Sequence, residues 1–196
     1  MTVLSAQSIR RLCVTAQPLI TPFTERGVVN GKSYGLSACT YDCRIDQDLI
    51  LEPMPFMSIL AYTRGDHLRD LTIESADILD IDARAVAKIN NTNHRALAST
   101  MERFAFPHNV CGSVLDKSSF ARVFVSAFNT HLDPGWDGFL TVELVNLGDT
   151  VVEYKQGDPV CQIKFEWLDE PTDLPYVGRK YSDQPARPVA AINEDS

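Results

Sequence analysis

Between residues 109 and 167, short β-branched or aromatic segments alternate with turn signals at close spacing, the pattern of an all-β barrel or jelly roll. Leu140, Val142 and Leu144 form one face of a strand there, and Phe139, Thr141, Glu143 and Val145 form the other. Asn146-Leu147-Gly148-Asp149 reads as a turn, Val151 to Tyr154 as the return, and Gln156-Gly157-Asp158-Pro159 as a second turn. Cys161, Ile163, Phe165 and Trp167 then line an apolar face opposite Gln162, Lys164 and Glu166.

Upstream the same β character persists. Residues 5 to 14 fit a short helix opening at Ser5, and Pro18 and Pro22 punctuate the chain after it. Tyr41 to Ile45 and Leu49 to Leu51 read as short strands. Residues 64 to 95 are charged, and Ala85, Val86, Ala87 and Ile89 fit either a helical turn or a strand. Past Trp167, Pro171, Pro175, Pro185 and Pro188 sit among Asp and other charged residues, the composition of an arm. With 196 residues, 44% of them hydrophobic, the expected organisation is one domain over 1–167 and a C-terminal arm over 168–196.

Charge narrows the function. A net charge of -8 argues against a nucleic-acid binder or a polybasic membrane-surface protein, both of which need a basic face. No apolar run reaches the length of a membrane span, and no signal-peptide run opens the chain. Five scattered cysteines without a C-x-x-C pair suggest neither a disulfide framework nor a zinc knuckle, and fit a reducing, cytoplasmic setting. Any anionic ligand must therefore be met by a local cluster of cations, by backbone N–H groups or by a metal ion that it carries.

Three segments carry chemistry-bearing residues. Glu143 stands between Val142 and Leu144, where burial would suit its carboxyl to general acid/base work; the outward-facing alternative is equally compatible with the strand pattern. Asp116-Lys117-Ser118-Ser119-Phe120-Ala121-Arg122 packs two cations and two hydroxyls into seven residues, which suits phosphate or a solvated turn. Asp133-Pro134-Gly135-Trp136-Asp137-Gly138 is a turn by composition. None of His67, His94, His108 and His131 begins the H-x-E motif of zinc nucleoside deaminases, and no Cys pair completes it.

Taken in order, these segments resemble the signature of the dCTP deaminase family and its trimeric dUTPase relatives. The residues concerned are Ser118 to Arg122, Leu132 to Gly138, Thr141 to Leu144 with Asn146, Gly157, and Gln162-Ile163. The likeness extends to Tyr41 to Ile45, Met101-Glu102-Arg103 through Pro107, and Gly112, and to Tyr176, Lys180-Tyr181 and Gln184 near the end. It implies a mainly β, dUTPase-like distorted barrel or jelly roll with a short N-terminal helix, assembled as a homotrimer whose C-terminal arm closes over bound nucleotide. It also implies hydrolytic deamination of dCTP to dUTP and ammonia without zinc. Glu143 would be the general base, Ser118 would hold the attacking water, and Arg122 would support the site. Lys117 and Ser119 would contact phosphates, and Lys180 and Gln184 would close on them with Tyr176 nearby. Asp133 and Gln162 complete the expected substrate-binding set. Mg²⁺ would arrive with the triphosphate.

Between Arg122 and Asp133 the chain is a couple of residues shorter than the family pattern and lacks its H-x-T-A sequence, in the segment that lines the base pocket. The base, which the resemblance also extends to dUTP or dTTP, is therefore left open. So is coupling to pyrophosphate release, with Asp133 as the water-activating carboxylate. A non-catalytic nucleotide-binding trimer is the third reading.

Overall fold

The computed structural model describes residues 2–54, 94–128 and 130–192. The undecided stretch around residues 85 to 89 lies outside them. Ahead of that gap come β1 (Thr2–Val3), α1 (Ala6–Cys13), β2 (Ile20–Thr21), β3 (Gly27–Val29), β4 (Lys32–Leu36), β5 (Thr40–Arg44) and β6 (Leu49–Leu51). Beyond it come β7 (Arg95–Ala105), β8 (Val110–Asp116), α2 (Ser118–Ala121), β9 (Val125–Ala127) and β10 (His131–Leu132). The long β11 (Asp137–Asn146), β12 (Val152–Tyr154) and β13 (Pro159–Trp167) complete the set. No helix among the described residues is long and apolar enough to cross a membrane.

The strands fall into a seven-stranded sheet ordered β10-β8-β13-β5-β4-β3, with β1 on β13, a four-stranded sheet ordered β2-β7-β11-β9, and a β12-β6 ribbon. The mainly β expectation holds. The expected barrel is not closed among the described residues, because the two large sheets keep separate strand orders instead of pairing into a ring. Their contact is a core in which Tyr41, Cys43, Ile163 and Phe165 from one sheet join Phe104, Val142 and Leu144 from the other. Each such side chain contributes roughly 1.5–3 kcal/mol by leaving water.

Local sequence explains the element ends. Ser5 caps α1, its hydroxyl accepting from the Ser8 amide at 3.4 Å, and Ile9 and Cys13 turn the helix inward. Asn30 and Gly31 both adopt positive φ, 48° and 73°, and form the two-residue turn joining β3 to β4. On β11, Leu140, Val142 and Leu144 are buried as the alternation requires. Thr141 and Val145 on the opposite face are buried too, so this strand is covered on both sides.

Two buried carboxylates join separate elements, Glu102 across the two large sheets and Asp158 between the β3–β4 hairpin and the turn before β13. Glu102 of β7 accepts from the Arg44 amide at 2.9 Å and from Arg44 Nε at 2.8 Å. Burial pushes the Glu102 carboxyl above its ordinary value against the pull of Arg44. Asp158 accepts from Lys32 Nζ at 2.9 Å, Asn30 Nδ2 at 2.8 Å and the Lys155 amide at 3.1 Å. Burial works to raise the Asp158 carboxyl, but these three donors outweigh it and hold the group below its ordinary value.

A depressed native value means that the stability contributed by ionised Asp158 is present above the unfolded-state value, about pH 4, and is lost as pH falls through the native one. Urea denaturation of Asp158→Asn should therefore show a flatter acid limb than the unaltered chain. Asp158→Ala should cost about 1–2 kcal/mol at neutral pH, because it removes the shared acceptor of three hydrogen bonds.

Candidate functional site

The residue between Val142 and Leu144 decides where chemistry can occur. Glu143 sits on β11 opposite Leu97 of β7, half-buried, and its Oε2 is fully enclosed without a hydrogen-bond partner among the described residues. A carboxylate oxygen removed from water with no donor is costly, and such groups concentrate where a ligand or water completes them.

Glu143 lines a cavity of about 480 Å³. Thr141 lies beside it two positions away on the same strand face, His131 comes from β10, and Asp133 and Trp136 come from the turn that leads into β11. His131 Nε2 and Asp133 Oδ1 stand 3.7 Å apart. No Lys or Arg lines this cavity among the described residues; its titratable side chains there include the carboxyls of Asp133 and Glu143 and the imidazole of His131.

The remaining wall is the C-terminal arm. Residues 168–192 contain no helix and no strand beyond a single parallel bridge of Gln184 to Gly138, yet they are tightly placed. The Trp136 indole donates to Tyr181 O at 2.8 Å, the Phe139 amide donates to Gln184 O at 3.0 Å, and the Val189 amide donates to Thr141 Oγ1 at 3.0 Å. Tyr176, Tyr181, Gln184, Val189 and Ala191 thereby border the cavity.

Gly138 permits this approach. Its φ of 141° disfavours side chains, and an added Cβ would lie 2.5 Å from the Gln184 nitrogen. Gly138→Ala should weaken docking of the arm by about 1–2 kcal/mol, seen as faster hydrogen exchange at the Phe139 amide with the melting temperature of the sheets little changed.

The other residues expected at the site fall elsewhere. Ser118, Ser119 and Arg122 are exposed on and beside α2 and do not line the cavity. Lys117 is buried, its Nζ 2.6 Å from Asp42 Oδ2. Gln162 is half-buried, and its Nε2 donates to the Asp116 carbonyl at 2.8 Å. Lys180 is exposed, its Nζ 5.2 Å from the centroid of the Tyr181 ring. One chain thus brings together Glu143, Asp133, Tyr176 and Gln184, and leaves Lys117, Ser118, Ser119, Arg122, Gln162 and Lys180 outside. Thr141, Val189 and Ala191 received no role from the sequence. Thr141 shares the strand face of Glu143, which was the signal available, whereas nothing local marks residues 189 to 191.

Residues 3–168 match a family model described as dCTP deaminase-like. A dCTP deaminase of Rhizorhabdus wittichii is 30% identical over 94% of this chain and 96% of its own length. A dCTP deaminase of Azotobacter vinelandii is likewise 30% identical over 94% of this chain and 96% of its own length. Among solved structures, the 2'-deoxycytidine 5'-triphosphate deaminase of Agrobacterium tumefaciens superposes with a TM-score of 0.49 at 15% identity, covering 85% of this chain and 48% of that one.

Proposed function

The chain belongs to the dCTP deaminase-like family, and we propose that it hydrolyses the exocyclic amine of dCTP, giving dUTP and ammonia, with Glu143 as the general base. The observation that carries this reading is the enclosed, unpartnered Oε2 of Glu143 on the wall of a cavity large enough for a nucleoside.

In this reading a water molecule between Glu143 and the pyrimidine gives a proton to the carboxylate as its oxygen bonds to C4 and the C4=N3 π pair moves onto N3, which takes that proton from Glu143. The tetrahedral centre then collapses. Glu143 carries the proton of the new C4 hydroxyl to the amine, the C4–N bond breaks with its pair leaving on ammonia, and the oxygen stays as the C4 carbonyl of dUTP. The enclosed Oε2 has no hydrogen-bond donor among the described residues that a catalytic water would have to displace. The absence of H-x-E and C-x-x-C motifs from the sequence supports a protein base in place of zinc.

A triphosphate is not neutralised by a cavity that carries two carboxylates and no Lys or Arg among the described residues. The exposed Ser118, Ser119 and Arg122 lie off this cavity, and we assign them to the cavity of a neighbouring copy in a homotrimer, Ser118 holding the water and Arg122 countering charge. Lys117, paired with Asp42, acts on phosphates through that pair or after exchanging it. Gln162 completes the substrate contacts, and Lys180 and Gln184 close over the phosphates from the arm, with Tyr176 beside them. Mg²⁺ rides on the phosphates with its own waters, which needs no cage of protein ligands.

The presence of Asp133 in the same cavity favours one second reading, in which deamination is coupled to pyrophosphate release. Incubation of purified protein and Mg²⁺ with dCTP, dUTP and other deoxynucleoside triphosphates, following ammonia and pyrophosphate together, separates them. Ammonia with dUTP accumulating supports the deaminase, and both products support the coupled enzyme. Pyrophosphate alone moves the chemistry to Asp133. Neither product, with nucleotide still bound, leaves a binding protein and overturns the proposal.

A further inference from the structure

The arm that walls the cavity turns at a strained residue. Asp183 adopts a φ of 54°, a left-handed conformation that an Asp takes at a cost of the order of 1 kcal/mol unless its surroundings fix it. Its amide donates to Asp137 O at 2.8 Å, and the next residue, Gln184, pairs with Gly138 and Phe139 and reaches Thr141 Oγ1 at 3.4 Å. One guanidinium nitrogen of Arg103, on β7, lies 2.6 Å from Asp137 Oδ2 and 3.4 Å from Asp183 Oδ1. Two carboxylates brought together without a cation would repel, one on the rigid strand and the other on the arm.

We propose that Arg103 is a positioning residue for catalysis: it bridges Asp137 and Asp183 and so latches the arm turn that presents Gln184 to the nucleotide cavity. Arg103 is not among the residues that line that cavity and acts through the arm. Its fork can hold two carboxylates at once, which a single ammonium does less well. The pairs are half to largely exposed, so the latch is salt-sensitive and shallow, suited to an arm that must open for each substrate.

The proposal rests on the cavity being the nucleotide site, and its test separates the two claims. In the ligand-free protein, Arg103→Gln should accelerate hydrogen exchange at the Asp183 amide, whether or not the chain deaminates dCTP. An Asp183 amide unmoved by Arg103→Gln overturns the latch. In the assay, Arg103→Gln and Asp183→Asn should each raise KM for dCTP about three- to fivefold, the size expected of a half-exposed ion pair, with kcat within about twofold. Arg103→Lys should recover part of the loss. Arg103→Gln combined with Asp183→Asn should be no worse than Arg103→Gln alone, because both remove one interaction. A fall in kcat at constant KM, or additive losses in the double variant, would also overturn it. If ammonia is never released but exchange responds as described, the latch stands and the deaminase reading fails alone.

Discussion

Glu143→Gln should lower kcat for deamination by about 10²–10⁴-fold while leaving the dissociation constant for dCTP within a few-fold of the unaltered protein. The amide keeps the shape of the carboxyl and fills the same space between Leu97 and Thr141, so binding contacts persist. What it cannot do is accept a proton from water. An Oε2 with no donor among the described residues is available to water, and the amide nitrogen replacing either oxygen would repel that water's hydrogen. Single-turnover ammonia release at saturating dCTP, paired with equilibrium binding, is the measurement. Turnover within tenfold of the unaltered enzyme would remove Glu143 from the role of base and shift attention to Asp133 in the same cavity.

Ending the chain at Trp167 should raise KM for dCTP by an order of magnitude or more while the sheets keep a cooperative melting transition. The arm supplies five of the residues bordering the cavity, among them Tyr176, Tyr181 and Gln184, and without them the base would bind in an open trough. It adds no strand to either large sheet, and the core residues of those sheets precede residue 168. Trp136 is the exception, since it loses the arm as its cover. An unchanged KM would show the arm to be idle, and loss of cooperative melting would show it to be part of the fold.

The strand pattern over 109 to 167 was legible because side chains there alternate at the period of the sheet, and β11 and β13 appeared where that alternation is clearest. The Asn30-Gly31 turn carried an equally local signal that the sequence reading passed over. The separation into two sheets was not legible, because strand order depends on pairings between residues far apart, such as Ile163 with Tyr41 and Val114. At the site, Glu143 and Asp133 were identified from motifs and share the cavity. Lys117 looked like a free cation, and the partner that holds it, Asp42, is 75 residues away. The arm read as loose from its prolines and charge, yet its backbone is held by hydrogen bonds to β11 and to the turn before it, from main chain and side chains alike, which composition does not encode.

The hydrogen bond from the Trp136 indole to the Tyr181 carbonyl has an optical consequence. With the arm docked, the indole is 6% exposed and sits in a polar but water-poor setting. When the arm leaves, the ring meets water and its emission moves to longer wavelength. The chain holds two tryptophans, and the other, Trp167, belongs to β13 and not to the arm's docking face. Replacing Trp167 with Phe therefore leaves a single tryptophan, excited apart from the six tyrosines at the red edge of the absorption band, whose colour reads arm position, so that rapid mixing with nucleotide can time opening and closing without any attached label.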